Sequence, residues 1–405
     1  MRDLGRLGRV TLWGLLLGAV GYASWKAFFD PSDTADFKSI WFAGLLWSEG
    51  INPYSEVFRN RAQEEFLGLN RPHAWFYPPN WWPFATPLAA LEYDLVKQVW
   101  RSCNGILLIL VCVHLWSRLR VLAPAVPEVL LIAMTVFALT TSASSITLSL
   151  GQTSIVMLAG VALFVTSFAS GNRALMVAAL VVLALKPTVA LTIAGLLLVL
   201  PAWWPALLIA AGIVLICAMP PFVMHGPGTV LSLMLERIGE YSQYSVNAPQ
   251  SMTGLRNLLY HALGVDASPI LLTLLGVGLV AGAGWLARRC DSPAERLVVA
   301  CTAVVLTVVM VPLHTYDMVV LTPLVAVIGV LPPRMAVAAG GLLFLAWRPN
   351  NLSSILGLSG LDGTYFAGSF LASLVSLVLA MLFCAALARS RAVRVTSQVY
   401  PPRQD

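Results

Sequence analysis

Charge is what this chain has least of. Asp, Glu, Lys and Arg make up 11% of its 405 residues, against roughly 25% in an ordinary soluble domain. So few charged side chains cannot solvate a globular surface, and the sequence leaves no stretch over for a soluble domain. It also lacks internal repeats, low-complexity tracts and heptad patterning, which argues against solenoids and coiled coils. No His, Cys, Asp and Glu cluster shows metal-ligand spacing, so metal-free chemistry with no cofactor is expected. The six cysteines, Cys103, Cys112, Cys217, Cys290, Cys301 and Cys384, lie in apolar runs or beside a basic loop. They are read as small core residues, not as a disulfide framework.

Hydrophobic residues are what the chain has in plenty, at 58%, with a mean hydropathy of +0.80. Runs of about 17 to 25 apolar residues, each long enough to cross a hydrocarbon layer of about 30 Å, recur along the whole length. The expected fold is therefore an all-α polytopic membrane protein. About twelve spans are predicted, near residues 11–29, 101–118, 127–143, 152–170, 173–186, 187–200, 203–222, 268–287, 295–313, 316–331, 335–348 and 365–388. They form one membrane domain over 11–388, between an N-terminal segment 1–10 and a basic tail 389–405. The first run could pass for a secretory signal cleaved near Ala23, but a retained anchor fits a chain that continues in the membrane.

The net charge of +6 does not call for nucleic acid, because basic residues of membrane proteins gather on cytoplasmic loops. With the N-terminus inside, the inner loops hold Arg2, Arg6, Arg9, Arg118, Arg120, Arg173, Arg288, Arg289, Arg334, Arg389, Arg391 and Arg394, and the acidic residues fall mostly outside. This places both termini in the cytoplasm and predicts a cytoplasmic-membrane protein. The segments 173–186 and 187–200 are each about 14 residues, roughly 21 Å of helix. Fusing them would reverse every downstream loop and break the charge rule. Two short segments meeting at Lys186-Pro187 are therefore expected, a kind of break where membrane proteins often build sites.

Two long outer segments follow from this topology, about 30–100 and 223–267. The first opens with DPSDTADFKSIW from Asp30, three carboxylates within seven residues. From Phe37 an amphipathic helix is expected, with Phe37, Ile40, Trp41, Gly44 and Leu45 on one face and Lys38 and Ser39 turned away. Asp33 and Asp36 can be its N-terminal caps, or one of them can be a general base. Further on, RPHAWFYPPNWWPFATPLAAL at 71–91 carries too many prolines for one regular helix. It can form an interfacial aromatic belt of Trp75, Trp81 and Trp82, or a platform, with Tyr77 in it, for a sugar ring or lipid tail.

In order along the chain stand Asp36, EGINPY at 49–54, FYPP at 76–79, PLAAL at 87–91, GQTS at 151–154 and LALKPT at 183–188. This set resembles glycosyltransferase family 87. It departs from the family pattern at Ile40-Trp41, where tyrosine is expected, and at Ser154, where asparagine is common. The resemblance implies a GT-C fold and transfer of a hexose, first of all mannose, from a polyprenyl phosphate donor to a lipid or glycan acceptor. It makes Asp36 the catalytic carboxylate, with Asp30 and Asp33 as capping or solvated neighbours.

A departing lipid phosphate needs fixed cations in a low-dielectric site. Lys186, deep in the membrane region, is the first candidate, against a reading as a snorkelling residue. His314, in VPLHTYD, is a candidate for donor phosphate or sugar, and Asp317 is read as a helix-start residue. Gln152 can bond sugar hydroxyls or cap a helix. Arg256 and Arg348 are outer-side cations that can reach phosphate or pair with headgroups. The expected partners are the polyprenyl phosphate sugar, the acceptor and membrane lipids. A transporter or flippase is the competing class, and a surface polysaccharide polymerase or ligase would share the donor.

Overall fold

The computed structural model describes residues 6–30, 35–66, 74–288, 290–357 and 364–399. Asp33, Arg2, Arg289 and the start of the aromatic segment at 71–73 lie outside the described residues, as do the side chains of Arg6, Arg9, Arg391 and Arg394. The described residues are mostly helical, and the one β-bridge among them joins Thr253 to Leu313.

The first long helix, α1 (Arg6–Phe28), leads to the short helices α2 (Ala35–Ser48), α3 (Glu56–Glu65) and α4 (Trp82–Leu88). Next come α5 (Tyr93–Leu122), α6 (Glu128–Thr140), α7 (Ser142–Leu150) and α8 (Ser154–Ser170). The short pair α9 (Arg173–Leu183) and α10 (Pro187–Leu198) precedes α11 (Trp204–His225). Helices α12 (Pro227–Ser242) and α13 (Leu255–Leu263) follow within the segment 223–267. The chain ends with α14 (Pro269–Ala287), α15 (Pro293–Met310), α16 (Thr322–Val327), α17 (Pro333–Trp347), α18 (Pro349–Ile355) and α19 (Thr364–Val399).

Each of the twelve expected apolar segments is helical. Six described stretches are long and apolar enough to cross a membrane, and five more apolar helices are shorter. Helix α15 is central, with 67% of its apolar stretch buried, and α11 is peripheral, with 17%. Leu208 and Ile216 of α11 are accordingly exposed, as expected for a face turned to lipid.

Several boundaries differ from the expectation. Helix α5 begins at Tyr93 rather than near 101, because its first turns carry Asp94 and Lys97, which form an ion pair at 3.0 Å. Hydropathy does not see such polar helical turns. The expected span 127–143 breaks at Thr141, whose hydroxyl accepts from Ser144 N at 3.0 Å and caps a new helix. Helix α2 is buried on more than the one face predicted. Phe37 and Ile40 are buried, but so are Phe42, Leu46 and Trp47, because Phe42 packs edge-on against Phe58 and Trp47 against Trp75. Trp75 and Trp81 are core residues, not an interfacial belt.

Asp30 is also not a solvated neighbour. It is 6% exposed, accepts from Lys26 Nζ at 2.5 Å and from Ser149 Oγ at 2.9 Å, and ties α1 to α7.

Candidate active site

The Lys186 turn is where the chain breaks inside the protein. Pro187 cannot donate a backbone hydrogen bond, so α9 ends with carbonyls that have no helical partner. The segment between α3 and α4 supplies the donors. Trp81 Nε1 reaches Leu185 O at 3.0 Å, and Asn80 Nδ2 reaches Ala184 O at 3.4 Å. Irregular backbone at this depth is tolerated because protein donors satisfy it. The docking also brings the aromatic segment against Lys186. Tyr54 holds that segment by donating its hydroxyl to Tyr77 O at 2.6 Å.

A second break lies between α7 and α8. Gly151 ends α7 in the left-handed region, φ +67, a conformation glycine adopts without strain. The chain then presents Gln152, Thr153 and Ser154 in succession. Gln152 Nε2 donates to Asp36 Oδ2 and lies 3.2 Å from the Tyr316 hydroxyl. Ser154 Oγ donates to Asp317 Oδ1 at 2.7 Å.

Asp317 is the residue whose role sequence reasoning missed. It does start a helix, since its Oδ2 accepts from His314 N at 3.2 Å. The same carboxylate, 2% exposed, also pairs with Lys186 Nζ at 2.6 Å. Lys186 therefore neither snorkels nor stands alone. The two partners are 131 residues apart, and nothing local in the sequence announces the pair. Ser154, noted only as a departure from the family pattern, is the third member.

The carboxyl of Asp36, in the first turn of α2, is held against buried Gln152, and burial pushes its pKa up from 3.8 to about 6, the Gln152 hydrogen bond opposing. Burial and the nearby Asp36 charge also push the Tyr77 phenol well above its ordinary range. His314, 9% exposed, is lowered to about 4 by burial, which outweighs the favourable Asp317 charge. It is thus neutral at pH 7.

Its tautomer follows from its neighbour. Asn247 Nδ2 donates to Tyr241 O at 2.7 Å, which leaves Asn247 Oδ1 facing His314 Nε2 at 3.2 Å. An amide oxygen only accepts, so Nε2 carries the proton. Nδ1 is then a buried acceptor with no hydrogen-bond partner. The ring stacks on Tyr316 with centroids 4.9 Å apart.

Arg256 and Arg348 stand apart from this group. Arg256 is buried, bonded to Asp266 at 2.8 and 3.1 Å and to Asn247 O at 3.0 Å. It is a loop anchor, and its charge is already paired. Arg348 donates to Thr140 O at 3.1 Å and sits over the Tyr22 ring at 5.9 Å, with no bond to the Asp36 group. From the segment 223–267, Tyr241 stacks on Phe76 at 3.8 Å, and Arg237 pairs with Glu56 at 2.9 Å and with Glu240 at 2.7 Å. These contacts hold the segments 30–100 and 223–267 together. Among the described residues, no three or more His, Cys, Asp or Glu side chains are grouped to hold a metal ion.

Breaks at 151–154, 184–187 and 311–317 thus converge on a buried carboxylate, a paired lysine and a neutral histidine, inside a polytopic helical protein. The strip Gln152-Thr153-Ser154 links Asp36 at one end to the Lys186–Asp317 pair at the other. The sequence profile of glycosyltransferase family 87 matches residues 75–323, more than half of the chain, and the chain belongs to that family. It is a glycosyltransferase, which sets aside the transporter reading. The matched stretch contains Tyr77, Gln152, Ser154, Lys186, His314 and Asp317, and it begins after Asp36. No curated protein and no solved structure matches the chain.

Proposed function

We propose that this glycosyltransferase moves a hexose, with mannose the first candidate, from a polyprenyl phosphate donor to a lipid or glycan acceptor, inverting the anomeric centre. The observation that carries the reading is the strip Gln152-Thr153-Ser154. Its first residue holds Asp36, and its third holds the Asp317 carboxylate that pairs with Lys186. A base and a cation held at the two ends of one three-residue strip can serve the two ends of one displacement.

In the step itself, the acceptor hydroxyl gives its proton to the Asp36 carboxylate as its oxygen attacks the anomeric carbon. The bond from that carbon to the donor phosphate oxygen breaks, and the phosphate departs with the electron pair. Lys186 has three donors, of which one is engaged by Asp317, and the others offer charge-assisted bonds to the leaving phosphate. Neutral His314 accepts a sugar hydroxyl at Nδ1, a different role from binding phosphate as a cation. Gln152 orients Asp36, and Tyr77 with Tyr316 walls the sugar site. The fold class is taken as GT-C, with the site facing outward from the cytoplasmic membrane. The basic loops support that orientation, and a lipid-linked donor suits a face without nucleotide sugars.

The test incubates purified wild-type protein and Asp36→Asn with radiolabelled polyprenyl phosphate mannose and a total lipid extract. Wild type is expected to label a lipid, and the variant to lose roughly 10² to 10⁴ of that rate. Equal transfer by both would remove Asp36 from the mechanism.

A further inference from the structure

A groove far from the active site is unused by this mechanism. Helix α1 packs tightly on α5 at Ala27, where a side chain on Gly105 would lie 2.6 Å from the Ala27 methyl. Tyr22 fastens the same part of α1 to α7 through Ser145 Oγ at 2.9 Å. A groove of about 800 Å³, counted to its open side, remains between α1, α5 and α6, lined by Trp13, Leu16, Val20, Val113, Trp116 and Leu139. From Trp13 to Val20 it runs about 10 Å by helix rise. Its hydroxyls are few, and the Thr135 hydroxyl is already bonded to Leu131 O at 3.0 Å.

The two ends of the groove differ. The α1–α5 contact and the Tyr22–Ser145 bond stand beyond its inner end. The other end is flanked by Trp13 and Trp116, and beyond them the chain is basic. Arg120 lies over the Trp116 ring at 5.3 Å and pairs with Glu128 at 3.4 Å, while its side chain stays 54% exposed. Arg118 is exposed beside it. Two exposed arginines against one glutamate leave a positive mouth on an apolar slot.

We propose that this groove binds one acyl chain of an anionic glycerophospholipid, with the headgroup phosphate at the Arg120 end. An apolar chain fits walls with almost no free polar group, and burial of each methylene contributes about 0.8 kcal/mol. The headgroup must be anionic to gain from the arginines, and Trp13 and Trp116 suit the boundary between chain and headgroup. The site is separate from catalysis, since Val113 lies about 20 Å along α5 from Trp100, whose indole donates to Gly151 O beside the active-site strip.

The test uses the full chain, delipidated in mild detergent and titrated with dioleoyl phosphatidylglycerol or phosphatidylcholine under native mass spectrometry. Wild type is expected to take up one phosphatidylglycerol in preference to phosphatidylcholine. Val113→Trp, which fills the slot from an exposed position, is expected to weaken that binding at least about tenfold. Arg120→Gln is expected to reduce the preference for phosphatidylglycerol about fivefold while keeping the chain. Both variants should elute from gel filtration as wild type does. Equal uptake by wild type and Val113→Trp, or no headgroup preference in wild type, would overturn the proposal. So would competition by a polyprenyl phosphate accompanied by lost transfer in Val113→Trp, since the groove would then hold the donor tail.

Discussion

Burial sets the chemistry of Asp36 more than any partner does. A carboxylate brought to about 6 is a stronger base than one at 3.8 and is still ionised at neutral pH, which suits proton abstraction. The transfer rate is therefore expected to rise with pH and reach half its plateau near pH 6, measured under saturating donor. The same displacement has a stability cost. The folded protein binds the proton more tightly than the unfolded chain, so ionising Asp36 destabilises the fold above pH 6, by up to about 3 kcal/mol. That cost shrinks as pH falls from 6 towards 3.8 and is absent below. Asp36→Asn should accordingly melt higher than wild type at pH 7.5, and the gap should close by pH 4. A gap independent of pH would place the cause elsewhere.

Asp317 differs in being enclosed by partners, Ser154 on one carboxylate oxygen and Lys186 on the other. Replacing it by asparagine strips Lys186 of its counter-ion and Ser154 of an acceptor. Loss of one member of a buried pair typically costs about 3 to 5 kcal/mol. Lys186, with a quarter of its side chain exposed, should bring that down to roughly 1 to 3 kcal/mol through solvent screening. The expected result is a lower melting temperature together with a raised KM for the lipid-linked donor, because the lysine loses its position. A stability loss with donor KM unchanged would make the pair structural only. Lys186 and His314 could be singled out from the sequence because ionisable residues are rare in apolar surroundings. Asp317 could be read only as a helix start, because capping is local in sequence and its ion pair is not.

At the scale of elements, the breaks matter more than the long helices. Lys186-Pro187 and Gly151 are visible as punctuation in the sequence, and both junctions stand where such residues predict. What closes them is tertiary. The donors for the α9 carbonyls come from Asn80 and Trp81, more than a hundred residues earlier, in a segment whose aromatic content equally suits a membrane surface. The placement of Asp36 depends on a second such contact. Helix α2 crosses α4 so closely that a Cβ on Gly44 would lie 2.0 Å from Ala85 O. Gly44→Ala must push α2 outwards and shift Asp36 away from Gln152. It is expected to reduce the transfer rate at least about tenfold, since small misplacements of a reacting group are costly, while leaving the protein folded by circular dichroism. An unchanged rate would show that the base does not depend on this crossing.

For the whole molecule, sidedness is the testable property. Basic loops inside predict that a cysteine at Gln243, exposed in the second outer segment, reacts with an impermeant maleimide on intact cells. A cysteine at Arg118 should react only after permeabilisation. The background needs the native cysteines removed, and all six are free. Labelling of both sites from one side would refute the proposed topology.

The sequence by itself determined the solvent, the helices and the kind of chemistry. Scarce charge and repeated apolar runs admit only a membrane, backbone groups in lipid must be satisfied within helices, and the ordered motifs point to family 87. Tertiary structure decided which polar residues meet. Only folding brought Gln152 to Asp36, Ser154 and Lys186 to Asp317, and Asn247 to His314, and it gave Arg256 to Asp266 instead of to a substrate. Local patterning reports burial and helix ends over a few residues, whereas these pairings join positions up to 163 apart through contacts that only the packed helices supply.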